Sequence, residues 1–326
     1  MLVVNSAHHG VIGGGAVATW DMVEGGVLAG ERVITNAPAV DGEYERVPPS
    51  RGVKLTPNLP AGDKSVTIAL HDWPVQTDAT SHAHVLFYPL RDDPPPPHVT
   101  DLWAISQFVA QETARKYGIP APPVWEIWPH LSDHTPRPKE KIVLTVGRFF
   151  LQQDGVSKSQ MVLIEAFKRL QRPDWQMVCI GAITSASDAE YFNRCVQLAA
   201  GDVLPDGRPR VLLLPNASYT VTADFYRRAS VYAHAMGMAG PPSAVEHWGV
   251  VYAKAFQAGC RVVGHRSGSA TVDFTDHIHT FTTVRECVER LRDVMDAYTV
   301  DGVTYPHVKD HTDTVQAAAD LIRGMA

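Results

Sequence analysis

Long apolar runs are missing from this 326-residue chain, and none approaches the ~20 residues a membrane helix needs. Cysteine is scarce: Cys179, Cys195, Cys260 and Cys287 lie far apart without a Cys-x-x-Cys pair, which argues against a zinc ribbon or disulfide framework and for reduced core thiols. The first residues lack the basic start and apolar core of a signal peptide, so a cytoplasmic location is expected. A basic excess is lacking too. Residues 1–138 hold 9 Lys/Arg against 15 Asp/Glu, and the remainder holds 20 of each, so nucleic acid or an anionic membrane meets an unfavourable average field in the first half. No Walker phosphate loop, no Gly-x-Ser-x-Gly elbow and no fixed-period repeat is present. Gly10–Gly15 falls short of a dinucleotide fingerprint because residue 18 is alanine. His82-Ala-His84 and His277-Ile-His279 each place two imidazoles on one strand face, but without acidic or cysteine partners at metal-site spacing, so no metal is expected.

What is present is a globular composition, 45% apolar and 20% charged, at a length that favours two domains with a cleft between them. The second half alternates apolar strands with amphipathic helices. Strands are expected at 142–146, 175–180, 210–214, 231–235, 261–264 and 279–283, with helices over 157–170, 188–200, 222–229, 249–258 and 284–298. In the first of these helices Leu163, Phe167 and Leu170 make one buried stripe. Such βα alternation predicts a doubly wound parallel sheet. The first half reads as a shorter version: strands at 2–5, 33–35, 66–70, 84–88 and 124–127, helices to about Leu28 and over 99–117, and a long loop over 36–63. A polar linker is expected within 132–141.

The most informative segment is Glu246-His-Trp-Gly-Val-Val-Tyr-Ala-Lys254, which runs on to Gly259 and an apolar strand. Gly249 permits a tight turn, and the amides of Gly249, Val250 and Val251 then become first-turn donors suited to phosphate. Glu246 stands before them as an acceptor for hydroxyls. Arg148 directly follows a strand and Lys158 precedes a helix, so both can meet the Gly249 helix start around one diphosphate at the carboxyl ends of the sheet. That combination reads as a nucleotide-sugar site.

Taken in order, Val146-Gly-Arg-Phe-Phe150, Lys158 ahead of Leu163-Ile-Glu-Ala-Phe167, Leu212-Leu-Leu-Pro-Asn216, Phe225-Tyr-Arg-Arg-Ala229, Val231-Tyr-Ala-His-Ala235 and Glu246-His-Trp-Gly249 resemble the retaining glycosyltransferases of family four, the glycosyl transferases group 1. The resemblance implies an α/β GT-B fold, two facing Rossmann-like domains with parallel sheets and an interdomain cleft. Residues 1–135 would be the acceptor-side domain and 136–310 the nucleotide-sugar domain, with 311–326 a C-terminal helix that could pack back on the first. It further implies that Arg148 and Lys158 neutralise the donor diphosphate, that Glu246 holds donor-sugar hydroxyls, and that Gly249, Val250 and Val251 add amide contacts. Gly13, Gly14 and Gly15 would face donor and acceptor, and Asn216 and Ser218 would border the nucleobase. His234 reads equally as a sugar-site residue or a packed strand histidine. His8, His9 and His71 are candidates for touching acceptor or sugar. No cofactor is implied beyond a nucleoside-diphosphate sugar as co-substrate.

Two positions depart from that family. Lys254 stands eight residues after Glu246, where a second glutamate usually binds ribose, and Ser267-Gly-Ser-Ala-Thr-Val272 replaces paired glycines followed by an acid. Altered donor choice, a phosphate or acidic partner for Lys254, and a degenerate site are three explanations for the first. The activity expected is metal-independent sugar transfer with retention to a soluble acceptor hydroxyl, since Asp21, Glu24 and Glu31 leave the first helix with little positive charge for a lipid surface. A modified nucleic-acid base as acceptor, a non-catalytic nucleotide-sugar-binding module and a sugar-nucleotide epimerase are the alternatives.

Overall fold

The computed structural model describes residues 1–6, 14–35, 53–55, 62–69, 73, 79–89, 92–129, 137–152, 155–306 and 308–325. The chain divides into two compact units, residues 1–130 with 309–326, and residues 131–308.

The first unit contains β1 (Leu2–Ser6), α1 (Gly14–Leu28), β2 (Val33–Thr35), β3 (Val53–Leu55), β4 (Lys64–Ala69), β5 (Ser81–Leu86), β6 (Asp101–Ala104), α2 (Gln107–Tyr117) and, from the chain's end, α8 (His311–Gly324). Its strands pair in parallel in the order β3-β2-β1-β4-β5-β6, a doubly wound sheet whose direction of winding reverses between β1 and β4. α8 packs along α1, where His311 Nε2 lies 2.9 Å from Oδ1 of the fully buried Asp21.

Three expectations are corrected here. The helix expected over 99–117 starts only at Gln107, because Asp101–Ala104 is claimed by the sheet as β6 and extended Ser106 caps the helix by accepting from Val109 N at 3.1 Å. The strand expected at 124–127 is a single bridge from Val124 to Ala104. Its apolar residues are buried for another purpose: Trp125 Nε1 donates to Thr314 O at 3.0 Å and Trp128 N to Thr314 Oγ1 at 2.7 Å, fastening the segment to α8. Within the span expected as loop, Val53–Leu55 forms β3 on β2.

The second unit contains β7 (Glu140–Val146), α3 (Gln160–Arg169), β8 (Gln176–Gly181), α4 (Ala186–Ala199), β9 (Val211–Pro215), α5 (Tyr219–Arg228), β10 (Ala229–His234), α6 (Val250–Gln257), β11 (Arg261–His265), β12 (Ile278–Phe281) and α7 (Val284–Asp296), with a 3-10 turn at Gly268–Thr271. All six strands are parallel, ordered β12-β11-β10-β7-β8-β9, so this sheet also reverses its winding, between β7 and β10. The expected stripe on α3 is buried: Leu163 and Phe167 are fully so, and they join Trp175, Met177, Leu291 and Phe281 in the core. α3 itself begins three residues later than its periodicity suggests. Ser159 takes φ 55°, and Ser157 Oγ accepts from Ser159 N at 3.1 Å, so Lys158 sits in a turn ahead of the helix. Buried Lys139 enters β7 with its ammonium donating to the carbonyls of Tyr226 and Arg227 at 3.3 and 2.9 Å and to that of Ala258, cross-linking the ends of α5 and α6.

Candidate functional site

The site grows from the reversal point of the second sheet. β7 ends at Val146 and β10 at His234, neighbours in the sheet, and ligands of open α/β sheets bind beyond the carboxyl ends at this point. Tyr232 OH donates to Val146 O at 3.2 Å and ties the two strand ends together.

Three of the expected residues form one cluster there. Glu246 Oε2 lies 2.6 Å from Lys158 Nζ and 2.8 Å from His234 Nε2. Lys158 Nζ also touches Met236 Sδ at 2.9 Å. Burial pushes the Glu246 carboxyl up, but the charge of Lys158 and the hydrogen bond from His234 outweigh it and hold the group well below the usual range. His234 is 1% exposed, and burial lowers its pKa despite the pull of Glu246, so a neutral imidazole donates from Nε2 to an ionised carboxylate. Tyr252 meets the His234 ring edge-on at 5.3 Å and Tyr232 stacks on it at 6.2 Å, fixing its plane.

The turn after Glu246 is shaped by backbone fit. Gly249 has φ 79° and caps α6, and a Cβ there would stand 2.4 Å from Tyr252 Cδ2. Gly268 approaches from the 3-10 turn so closely that a Cβ would lie 2.2 Å from Glu246 O, while Ser269 N donates to that same oxygen at 2.9 Å. The Ser267–Val272 segment thus supports Glu246 through its backbone. At the start of α6 the amides of Gly249, Val250 and Val251 have no acceptor among the described residues.

The other expected residues stand apart from this cluster. Arg148 follows β7, its guanidinium 4.5 Å over the Phe150 ring and Nε 3.7 Å from Asp188 Oδ2. Asn216, at φ 52°, accepts from Ile183 N at 2.8 Å and closes the turn after β8. Ser218 caps α5 by accepting from Val221 N at 3.3 Å. Lys254 lies one turn into α6 with Nζ 5.1 Å over the Tyr219 ring. Gly14 and Gly15 open α1, whereas His8, His9, Gly13 and His71 lie outside the described residues.

Residues not anticipated complete the arrangement. Gln160, 1% exposed, donates from Nε2 to the carbonyls of Gly147 at 3.0 Å and Arg148 at 3.1 Å, binding the start of α3 to the turn that carries Arg148. Tyr232 carried a readable signal, since it shares a strand face with His234 at two-residue spacing. Gln160, Met236 and Asp188 carried none.

The family model for glycosyl transferases group 1 matches residues 127–302, more than half of the chain and nearly all of the second unit. The chain belongs to the glycosyl transferases group 1. It is a glycosyltransferase, and its two parallel-sheet α/β units match GT-B structures. Sucrose-phosphate synthase from Thermosynechococcus elongatus is similar in fold at a TM-score of 0.66 and 14% identity, covering 99% of this chain and 97% of that one. An α,α-trehalose-phosphate synthase (UDP-forming) from Burkholderia xenovorans, solved with glucose-6-phosphate, is similar at 0.61 and 12% identity over 99% and 97%. Anabaena HepE, solved with UDP and glucose, is similar at 0.57 and 14% identity over 98% and 94%. No curated protein sequence matches this glycosyltransferase. Among the described residues, no helix is long and apolar enough to cross a membrane, and no three His, Cys, Asp or Glu side chains are grouped to share a metal ion.

Proposed function

We propose that this glycosyltransferase moves a sugar from a nucleoside-diphosphate sugar to the hydroxyl of a soluble acceptor, with retention of anomeric configuration and without a metal. The observation that carries the reading is the ionised Glu246, gripped by Lys158 and His234 beside the amides of Gly249, Val250 and Val251, which have no acceptor among the described residues. A carboxylate accepts hydrogen bonds from sugar hydroxyls, and the amides with Lys158 and Arg148 take the diphosphate. Leaving-group departure builds negative charge on the diphosphate while the anomeric carbon gains oxocarbenium character, so fixed donors aimed at the phosphates favour the transition state. Lys158 turns from Glu246 to phosphate, which frees the carboxylate oxygen for the sugar. Retention follows if the acceptor attacks from the face the diphosphate leaves, with the departing phosphate taking the acceptor proton. Gly13–Gly15 and His71 then serve the acceptor side, and Asn216 and Ser218 border the nucleobase. The four free, buried cysteines accord with a cytoplasmic location.

A thermal-shift panel of UDP, GDP, ADP, dTDP and their sugar conjugates tests the donor site, since a ligand at 100 times its Kd adds about 2.7 kcal/mol of native-state stability. A shift for one nucleotide, lost in Arg148→Ala, supports the reading; no shift with any of them sinks it. Product NMR then reads retention against inversion, and EDTA reads metal dependence.

A further inference from the structure

The main chain around Arg148 is held from two sides. Gly147 N donates to Ile180 O and Phe149 N to Ala182 O, both at 2.9 Å, so the pairing of β7 with β8 runs on past the strand ends. The two turns approach so closely that a Cβ on Gly181 would strike Gly147 O. From α3, Gln160 Nε2 donates to Arg148 O at 3.1 Å. The side chain is held as well: its guanidinium lies 4.5 Å over the buried Phe150 ring, and Nε stands 3.7 Å from Asp188 Oδ2. Its two Nη groups make no hydrogen bond among the described residues.

Asp188 is itself fixed before it meets the arginine. It lies buried in the first turn of α4, where Thr184 N and Thr184 Oγ1 donate to its Oδ2 at 2.9 and 2.7 Å and its own amide donates to Ser185 Oγ at 3.1 Å. Burial works against its charge, yet the hydrogen bonds from Thr184 and Ser185 and the charge of Arg148 hold the carboxyl below its ordinary range. Among the described residues, Arg148 is its one ion-pair partner. A guanidinium has three edges of N–H groups, and a carboxylate at the Nε edge leaves the Nη pair, a fork that fits two oxygens of one phosphate.

We infer, on the proposed assignment of Arg148 to the donor diphosphate, that Asp188 is the positioning residue for Arg148: it draws the Nε edge over the Phe150 ring and keeps the Nη fork free for a phosphate. Its helix-capping bonds to Thr184 and Ser185 hold the carboxylate still, so the arginine is oriented before the ligand arrives. A lysine in place of Arg148 has no second edge, and its ammonium serves either Asp188 or a phosphate.

Calorimetric titration of the full chain with UDP, GDP and ADP tests this in the wild type, Asp188→Asn, Arg148→Ala and the double variant. Asparagine keeps the size of the side chain and an oxygen for Thr184 but carries no charge. For whichever nucleotide binds, Asp188→Asn is expected to weaken binding about three- to fivefold when Arg148 is present and by less than about twofold in the Arg148→Ala background. Equal weakening in both backgrounds overturns the inference, because Asp188 then acts only through the fold of α4. Tighter binding in Asp188→Asn overturns it too, because the carboxylate then only repels the phosphates. Arg148→Lys leaves α4 untouched and decides the matter if Asp188→Asn does not fold or Arg148→Ala binds too weakly to titrate. Its binding is expected to be about tenfold weaker, and a Kd within about twofold of the wild type overturns the inference. These outcomes leave the donor-site reading intact. Binding unchanged in Arg148→Ala overturns the assignment of Arg148 to the diphosphate together with the inference, and absence of binding by every nucleotide in the wild type overturns the donor-site reading as a whole.

Discussion

Glu246 and Lys158 meet through a 2.6 Å contact between side chains 88 residues apart, and the carboxylate oxygen involved also accepts from His234. One oxygen thereby joins the turn before α3, the end of β10 and the approach to α6. The cation and the carboxylate neutralise each other, and in the proposed function a bound donor separates them.

Glu246→Gln keeps the shape and removes the charge. Donor turnover, read as release of nucleoside diphosphate, is expected to fall by about 100-fold or more. Binding of the free nucleoside diphosphate, assigned in the proposed function to Lys158 and the α6 amides, is expected to persist or tighten. Loss of diphosphate binding together with turnover would mean that the carboxylate holds the site together and does not act on the sugar.

Gln160→Leu leaves the carbonyls of Gly147 and Arg148 without their donor in a buried turn. The expected cost is about 1–3 kcal/mol in urea unfolding. Nucleoside-diphosphate affinity should weaken because Arg148 is no longer fixed, whereas Gln160→Glu should lose as much or more, since a carboxylate cannot donate to those carbonyls. Unchanged affinity in a folded Gln160→Leu would remove Gln160 from the site.

Lys139→Met tests a purely structural clamp. Its ammonium is the donor for carbonyls closing α5 and α6, so about 2–4 kcal/mol of stability is expected to disappear. Nucleotide affinity of the protein that remains folded should not change, because the clamp lies at the amino end of β7, away from Val146 and the carboxyl ends where the site forms.

His84 gives the first unit an acid-side weakness. It is 2% exposed, its Nδ1 has no hydrogen-bond partner among the described residues, and burial lowers its pKa from 6.5 to about 4. The unfolded chain therefore binds the proton first as pH drops below 6.5, and native stability declines from there until about pH 4, by up to about 3 kcal/mol from this group. His84→Leu is expected to flatten the stability curve across that window. Parallel curves for the two proteins would show that His84 is solvated or paired.

The alternation of apolar strands with amphipathic helices determined both doubly wound sheets, because parallel strands need crossover connections and a helix with a stripe such as that of Leu163 and Phe167 supplies one while burying that stripe in the core. Glu246-His-Trp-Gly249 likewise announced a tight turn and a helix start from local chemistry alone, and the structure gives that turn a left-handed Gly249. Local pattern failed where pairing decided the outcome. Asp101–Ala104 joins β5 instead of the helix that follows, and the apolar Val124–Trp128 run packs on Thr314, 186 residues beyond Trp128. In the site, residue types were legible but alliances were not. Only the adjacency of β7 and β10 sets Lys158 and His234 on one oxygen of Glu246, the pairing of β7 with β8 brings Arg148 near Asp188 at the start of α4, and the approach of α5 to α6 lays Lys254 over Tyr219. Spacing along a chain governs which side chains share a face, whereas the partners facing them come from strand order, which folding sets at long range.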